Sequence, residues 1–259
     1  MAEPSTDQYN GFPLESDPEI FTDLLHALGG RRSLEFRDVL SINTEDLAPG
    51  SGMDLPQPVY AFVLVYTATR EYEAGIRAAR QQARDEGRGY AGKGDGEPVL
   101  WFEQTIRHAC GFFALLHAVA NLRTPSAADS FIEPGSLLDE LLRAAVLLGP
   151  TERAAALKRS SGIARVYNRA AQRGSSPLED DVPGHYVCFV PSPQDGHVYE
   201  LDGGKNGPVD HDEFLDGNRD MLSGGLQLVR DFVGSRIDKA NPYFHLMALV
   251  PSVSGATSS

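Results

Sequence analysis

The chain is short of cysteine, of positive charge and of long apolar runs, and each shortage excludes a class of protein. Two cysteines in 259 residues, Cys110 and Cys188, cannot build a disulfide framework. They argue for a reducing compartment, and hence for a cytoplasmic or also nuclear location. The longest strongly apolar run, Val59 to Tyr66, is far too short to cross a membrane. The opening residues Met-Ala-Glu-Pro-Ser-Thr-Asp-Gln carry neither a basic cap nor an apolar stretch, so no secretory signal is expected. Lys and Arg number 23 against 36 Asp and Glu, a net charge of −13. That balance excludes the basic footprint nucleic-acid binding needs. It suits a basic partner, although plain solubility explains it equally well. No internal repeat is visible.

What is present is enough for one core. With 41% hydrophobic residues spread along the chain, a single domain is expected between short polar ends at 1–11 and 251–259. Asp17-Pro18 sets a helix start, the stripe Ile20, Phe21, Leu24, Leu25, Leu28 follows, and Gly29-Gly30 stops it. Val59 to Tyr66 reads as a buried central strand and Glu71 to Glu86 as an exposed charged helix. Gly87 to Glu97, with five glycines, is a loop. Helices are expected over 137–148 and 151–159, a further one over 221–237 and a last strand over 243–250. The pattern as a whole is α/β with an apolar central sheet.

The chemistry concentrates in two segments. In Gln104-Thr-Ile-Arg-His-Ala-Cys110-Gly-Phe-Phe-Ala-Leu-Leu-His117, a polar stretch runs into a nearly all-apolar helix with Cys110 at the junction. The positive end of the backbone dipole there favours thiolate over thiol. Gln104, six residues upstream, offers two N–H donors to a developing oxyanion. The second segment is a pair of β-rich runs, 185–190 and 197–202, around the turn Pro191-Ser-Pro-Gln-Asp-Gly196. A hairpin centred on that turn pairs residues whose numbers sum to 387, which puts His185 opposite Asp202 at a Cβ separation of about 4.5–5.5 Å. From there a carboxylate can fix the imidazole's tautomer. The same alternation puts Cys188 on the face away from His185, as a small core residue. The reading is a Cys-His-Asp hydrolase with Cys110 as nucleophile, His185 as base, Asp202 as its orienting partner and Gln104 as oxyanion donor.

The remaining histidines fit less well. His117 is about two turns, roughly 10 Å, along the helix from Cys110, and reads as a hydrogen-bonded core residue. His108 precedes the nucleophile and has no carboxylate at useful spacing, and His197 falls on the Cys188 face. His211, with Asp210, Asp212 and Glu213, reads as a solvated acidic loop rather than a metal site.

With these blocks in hand, the chain resembles the ubiquitin C-terminal hydrolase family of deubiquitinating cysteine peptidases. The resemblance rests on the Gln104-to-Cys110 spacing with Gly111 and Ala114-Leu-Leu-His117, on His185, and on Tyr199-Glu-Leu-Asp-Gly203 with its continuation to Pro208. Phe12-Pro-Leu-Glu-Ser-Asp-Pro-Glu19 near the start adds a further match. The blocks stand in the family's order over about residues 12 to 250. Departures are His108, where the family usually has Asn, and Phe112 and Phe113, where a small residue usually follows Cys-Gly.

The resemblance implies a mainly antiparallel sheet flanked by helices, papain-like, on a knotted backbone. It implies a thiol hydrolase that removes small adducts or short extensions from the C-terminal glycine of ubiquitin or a ubiquitin-like protein, without cofactor or metal, as a monomer. Ubiquitin's Arg-rich tail suits the acidic chain, and Leu14 and Glu15 correspond to the family's substrate-facing segment. Residues 160–184, a polar stretch with no sustained periodicity, correspond to its crossover loop over the cleft. Two other readings share the residues: a Cys-His-Asp acyltransferase, and a catalytically silent ubiquitin-binding module.

Overall fold

A computed structural model describes residues 8–94, 96–122, 130–174, 184–215, 220–237 and 243–253. The element order is α1 (Pro18–Leu28), β1 (Leu34–Asp38), β2 (Ala61–Thr67), α2 (Arg70–Asp85), α3 (Cys110–Ala120), α4 (Leu137–Val146), α5 (Pro150–Arg159) and α6 (Ser161–Ala171). Then come β3 (Gly184–Pro191), β4 (His197–Leu201), β5 (Val209–Phe214), α7 (Leu226–Arg236) and β6 (Phe244–Pro251). The six strands form one sheet in the order β1-β6-β2-β3-β4-β5, with every neighbouring pair antiparallel. The expected antiparallel sheet flanked by helices is therefore found.

Strand alternation divides the core in two. Ala61, Val63, Tyr186, Cys188, Val190, Met247 and Leu249 point to one face, where they meet α1, α3 and the α4–α6 helices. Phe62, Leu64, Val187, Phe189, Leu246 and Ala248 point to the other, against Leu226, Val229 and Phe232 of α7. Local signals set the ends of α1. The Asp17 carboxylate accepts from the Glu19 and Ile20 amides, and Gly29 closes the helix at a φ of 112° that only glycine adopts freely. Helix α3, which Cys110 opens, is apolar on every side because it runs through the middle of one core, with Gly111 to Val119 all buried.

Three expectations change. The 160–184 segment is not a loop throughout: 161–171 is α6, capped by Ser160, with Ile163, Ala164, Tyr167, Ala170 and Ala171 buried at helical spacing. The rest of that loop, 175–183, lies outside the described residues, as do 1–7 and 254–259 of the polar ends. The acidic stretch around His211 is strand β5, an edge strand paired with β4. The β3–β4 register pairs Cys188 with Leu201 and Pro191 with Val198, a sum of 389 rather than 387. The turn starts later than expected because Pro191 stays in the strand and Ser192 closes a tighter loop, its amide donating to the His197 carbonyl at 2.7 Å. A shift of two residues leaves every side chain on its expected face.

Candidate active site

The site sits at the rim of the sheet where β3 begins. Cys110 opens α3 on one face, and His185, second residue of β3, projects toward the other. Both line a cleft of about 970 Å³, together with Gln104 and Gly184. Cys110 is partly exposed and Asp202 is 1% exposed.

His185 and Asp202 are brought together despite the changed register. Asp202 follows the last residue of β4, one diagonal step from His185, and its Oδ2 lies 2.8 Å from His185 Nε2. Its other oxygen, Oδ1, accepts from the Gly204 amide at 2.7 Å, and its carbonyl accepts from Trp101 Nε1 at 3.1 Å. Burial opposes the charged carboxylate, but His185 and the Gly204 N–H hold Asp202 below the usual carboxylate range. Burial likewise opposes the imidazolium, yet Asp202 raises His185 above the ordinary histidine value. The ring of Tyr66, paired with His185 across β2 and β3, stands edge-on to the imidazole at 5.8 Å. With Nε2 held by Asp202, Nδ1 is the nitrogen left to serve a thiol.

Cys110 at rest is a neutral thiol. Dense surroundings push it up to about 11, against the backbone amides of Tyr186, Gly111 and Cys110 that favour the thiolate. Those amides act in the direction of the helix dipole, but desolvation outweighs them. The Cys110 Sγ hydrogen bond goes to the Gly184 carbonyl at 3.8 Å, not to the imidazole. Gln104 is anchored through its backbone, its N–H donating to Gly203 O at 2.8 Å, while its side-chain Nε2 donates to Ile106 O at 3.3 Å. Gly203 makes that approach possible: a Cβ there would stand 2.9 Å from Gln104 Cβ and 3.1 Å from its nitrogen.

The sequence matches the model of ubiquitin carboxyl-terminal hydrolase, family 1, over residues 12–236. The chain belongs to that family. Among its relatives is ubiquitin carboxyl-terminal hydrolase isozyme L1 of Equus caballus, 32% identical over 199 residues, which span 77% of this chain and 81% of that one. Ubiquitin carboxyl-terminal hydrolase 3 of Arabidopsis thaliana is 29% identical over 211 residues, 81% of this chain and 82% of that one. In fold, the chain is similar to Trichinella spiralis UCH37 in a crystal structure bound to ubiquitin vinyl methyl ester. That match has a TM-score of 0.65 and 21% identity, covering 94% of this chain and 83% of the other.

The departures from the family pattern have local explanations. His108 takes a left-handed φ of 55°, a conformation that the Asn usual there adopts readily and a histidine occasionally. Phe112 is fully buried and fills the space between Tyr9 and Tyr167, at ring distances of 6.5 and 5.0 Å. The N-terminal block packs closely against the body of the fold. Leu14 is 2% exposed and inside the core, its carbonyl accepting from Tyr186 OH at 3.0 Å, and half-buried Glu15 lies against Gly174, its Oε2 2.7 Å from where a Cβ there would stand.

His117 is a neutral core histidine, lowered to about 4 by burial, with Nε2 3.1 Å from the Phe102 amide. His211 bonds Glu200, a fully buried carboxylate, at 3.1 Å. Sequence reasoning missed Trp101, Gly203 and Gly204 as supports of Asp202; the Gly-Gly after Asp202 was the available signal.

Proposed function

We propose that residues 12–250 form a cysteine-type ubiquitinyl hydrolase domain that cleaves small adducts or short extensions from the C-terminal glycine of ubiquitin or a ubiquitin-like protein. The observation carrying this is the shared cleft in which Cys110 and Gln104 lie beside the buried His185–Asp202 pair. A fixed, raised imidazole next to a half-buried thiol is what a thiol acyl transfer needs, and a silent binding module has no use for it.

His185 takes the thiol proton through Nδ1 as Cys110 Sγ attacks the glycine carbonyl. The neutral resting thiol supports this general-base route over an ion pair formed before substrate arrives. Gln104 Nε2, released from the Ile106 carbonyl, and the Cys110 backbone N–H receive the developing oxyanion. The carbonyl re-forms as His185 gives its proton to the leaving amine. Water then attacks the thioester with His185 again as base, which frees the acid and the thiol. Asp202 holds the ring in one tautomer throughout. Every proton and charge in this cycle has a residue of the chain to carry it.

Recognition of the basic ubiquitin tail is supported by a groove of about 1060 Å³ that adjoins the N-terminal segment. It carries Asp17, Glu19, Asp23, Glu35, Asp38 and Asp54 against Arg37. We place the enzyme in the cytoplasm or nucleus as a monomer, in keeping with its two unpaired thiols.

Ubiquitin bearing an electrophile at its C-terminus tests the reading. A covalent adduct at Cys110, lost in Cys110→Ala, is expected. Tight binding without an adduct identifies a binding module instead, and transfer of an acetyl group to an amine identifies an acyltransferase.

A further inference from the structure

Asp202 stands just beyond the sheet. The β3–β4 ladder ends at the Cys188–Leu201 pair and the β4–β5 ladder at Glu200–Val209. Its backbone is steadied instead by the extended segment 100–104, which leads toward α3. Trp101 Nε1 donates to the Asp202 carbonyl at 3.1 Å, and the Gln104 N–H donates to the Gly203 carbonyl at 2.8 Å. One short piece of chain therefore places Asp202 and Gln104 together.

That segment is itself clamped from two sides. His117 lies on α3, the helix that Cys110 opens, and Asn121 caps the same helix one turn later. The Phe102 N–H donates to His117 Nε2 at 3.1 Å. Asn121 brackets Leu100, its Oδ1 accepting the N–H at 2.7 Å and its Nδ2 donating to the carbonyl at 3.1 Å. From α5, Arg153 Nη1 donates to the Trp101 carbonyl at 3.0 Å. The Tyr90 ring stands edge-on to the indole at 5.6 Å, and Trp101 is 2% exposed. An indole so enclosed has one direction in which to offer its N–H. Contact thus runs unbroken from α3 through residues 100–102 and the indole to Asp202. The position of the carboxylate relative to Cys110 is set by this brace as well as by its own turn.

We infer that Trp101 is a positioning residue for the His185–Asp202 pair, its indole N–H fixing where the carboxylate meets the imidazole. This rests on the hydrolase reading. The Asp202 carbonyl also accepts from the Lys205 amide at 3.1 Å, so it stays paired when the indole N–H is removed, and the turn can shift without the fold failing. Trp101 is the chain's only tryptophan. Incorporating benzothienylalanine in place of tryptophan therefore exchanges this one N–H for sulfur at nearly unchanged shape, and Trp101→Phe is the encoded counterpart. A misplacement near 1 Å costs about 10²-fold in rate. With ubiquitin aminocoumarin amide, kcat should fall about tenfold or more in both proteins, with KM unchanged. Added to Asp202→Asn, either replacement should cost less than about twofold, because the bond it positions is already gone. His185 supplies a readout that a merely structural role would not move. Asp202 raises its ring, while Glu73 and Lys205, which also act on it, keep their charges. Followed by NMR, the ring should titrate at lower pH in both replacements. A kcat within twofold of native in the sulfur isostere, an unchanged His185 titration, or a full additive loss in Asp202→Asn overturns the inference. A native protein that leaves the amide uncleaved overturns the hydrolase reading itself, and the titration, which needs no turnover, still decides the role of Trp101.

Discussion

Replacing Asp202 with Asn removes a charge and almost no volume, and the local bonding dictates the consequence. In the native site both carboxylate oxygens face N–H groups, Oδ2 toward His185 Nε2 at 2.8 Å and Oδ1 toward the Gly204 amide at 2.7 Å. An Asn side chain offers one acceptor and one donor group. The Gly204 amide can only donate, so the Asn oxygen stays with it and the NH2 turns toward Nε2. The imidazole must then accept through Nε2 and carry its proton on Nδ1, the nitrogen that should receive the thiol proton. Keeping the working tautomer instead leaves two donors facing each other at a site 1% exposed. Losing a buried bond to a charged partner costs about 1.5–3 kcal/mol, and the imidazolium also loses its stabilising anion. The equivalent change in a Ser-His-Asp triad lowers kcat about 10⁴-fold. We expect a fall in kcat of roughly 10²–10⁴ with KM little changed. The pH profile gives a second readout. Burial acts against a charged His185, and Asp202 raises it above the ordinary value. The neutral base therefore appears only as pH rises through that raised value, and the acid limb of kcat/KM should lie above about 6.5. In Asp202→Asn the largest raising influence is gone and burial dominates, so the limb of the residual activity should move to lower pH. Steady-state hydrolysis of ubiquitin aminocoumarin amide across pH measures both, with Tm confirming the fold. A variant within tenfold of the native kcat, or a native acid limb well below 6.5, would refute the reasoning.

Cys110→Ala should abolish hydrolysis of the same amide yet retain ubiquitin binding, whereas Cys188→Ala, fully buried in the core that also holds α3, should keep turnover and lose roughly 0.5–3 kcal/mol of stability; the reverse pattern in the two rates would exchange their roles. Gln104→Ala should cost about 2.7–4 kcal/mol of transition-state stabilisation, seen in kcat rather than KM, and an unchanged kcat would remove it from the oxyanion site. Arg153 has no exposed surface and binds both oxygens of Glu97 as well as the Ala145 and Trp101 carbonyls. Arg153→Ala should therefore destabilise by about 3–5 kcal/mol in urea melts, and a loss under 1 kcal/mol would show that the glycine-rich loop ending at Glu97 needs no anchor there.

Legibility in the sequence followed burial. The strands found where expected, β2, β3, β4 and β6, lie in the interior of the sheet with apolar neighbours on both faces. The strands that escaped, β1 and β5, are the two edges. Each has one neighbour, and charges such as Arg37, Asp38, Asp210 and Asp212 that guard an open edge also erase the strand pattern. Helix α6 was hidden by Gly162, Ser160, Ser161 and the polar residues after 171. Averaged over 25 residues its periodicity disappears, although the buried set 163, 164, 167, 170 and 171 is plain over 11. The site was more legible than the fold around it. Face parity survives a two-residue register error, and Asp202, just beyond the end of β4, reaches His185 diagonally. The state of the thiol was not legible, because the sequence shows the helix N-terminus but not how much protein surrounds it.

That thiol state has a mechanistic consequence. With Cys110 pushed up to about 11, ionising it to solvent at neutral pH costs about 5 kcal/mol. Passing the proton to His185 is also uphill at rest, since the imidazole, though raised, starts from a value near 6.5. Two groups can reverse that balance when substrate is bound. The amides of Tyr186, Gly111 and Cys110 already favour the thiolate, and an imidazolium held by Asp202 attracts it more strongly as the two approach in a cleft emptied of water. Gln104 stands in the same position, its donor occupied at rest by the Ile106 carbonyl and useful only once an oxyanion competes for it. The Cys110 thiol and the Gln104 amide are therefore both engaged with backbone carbonyls, Gly184 and Ile106, in the free protein. Such an arrangement keeps a neutral, poorly nucleophilic sulfur in the free enzyme and directs binding energy into the acyl-transfer step, so truncating the bound partner should lower kcat as well as raise KM.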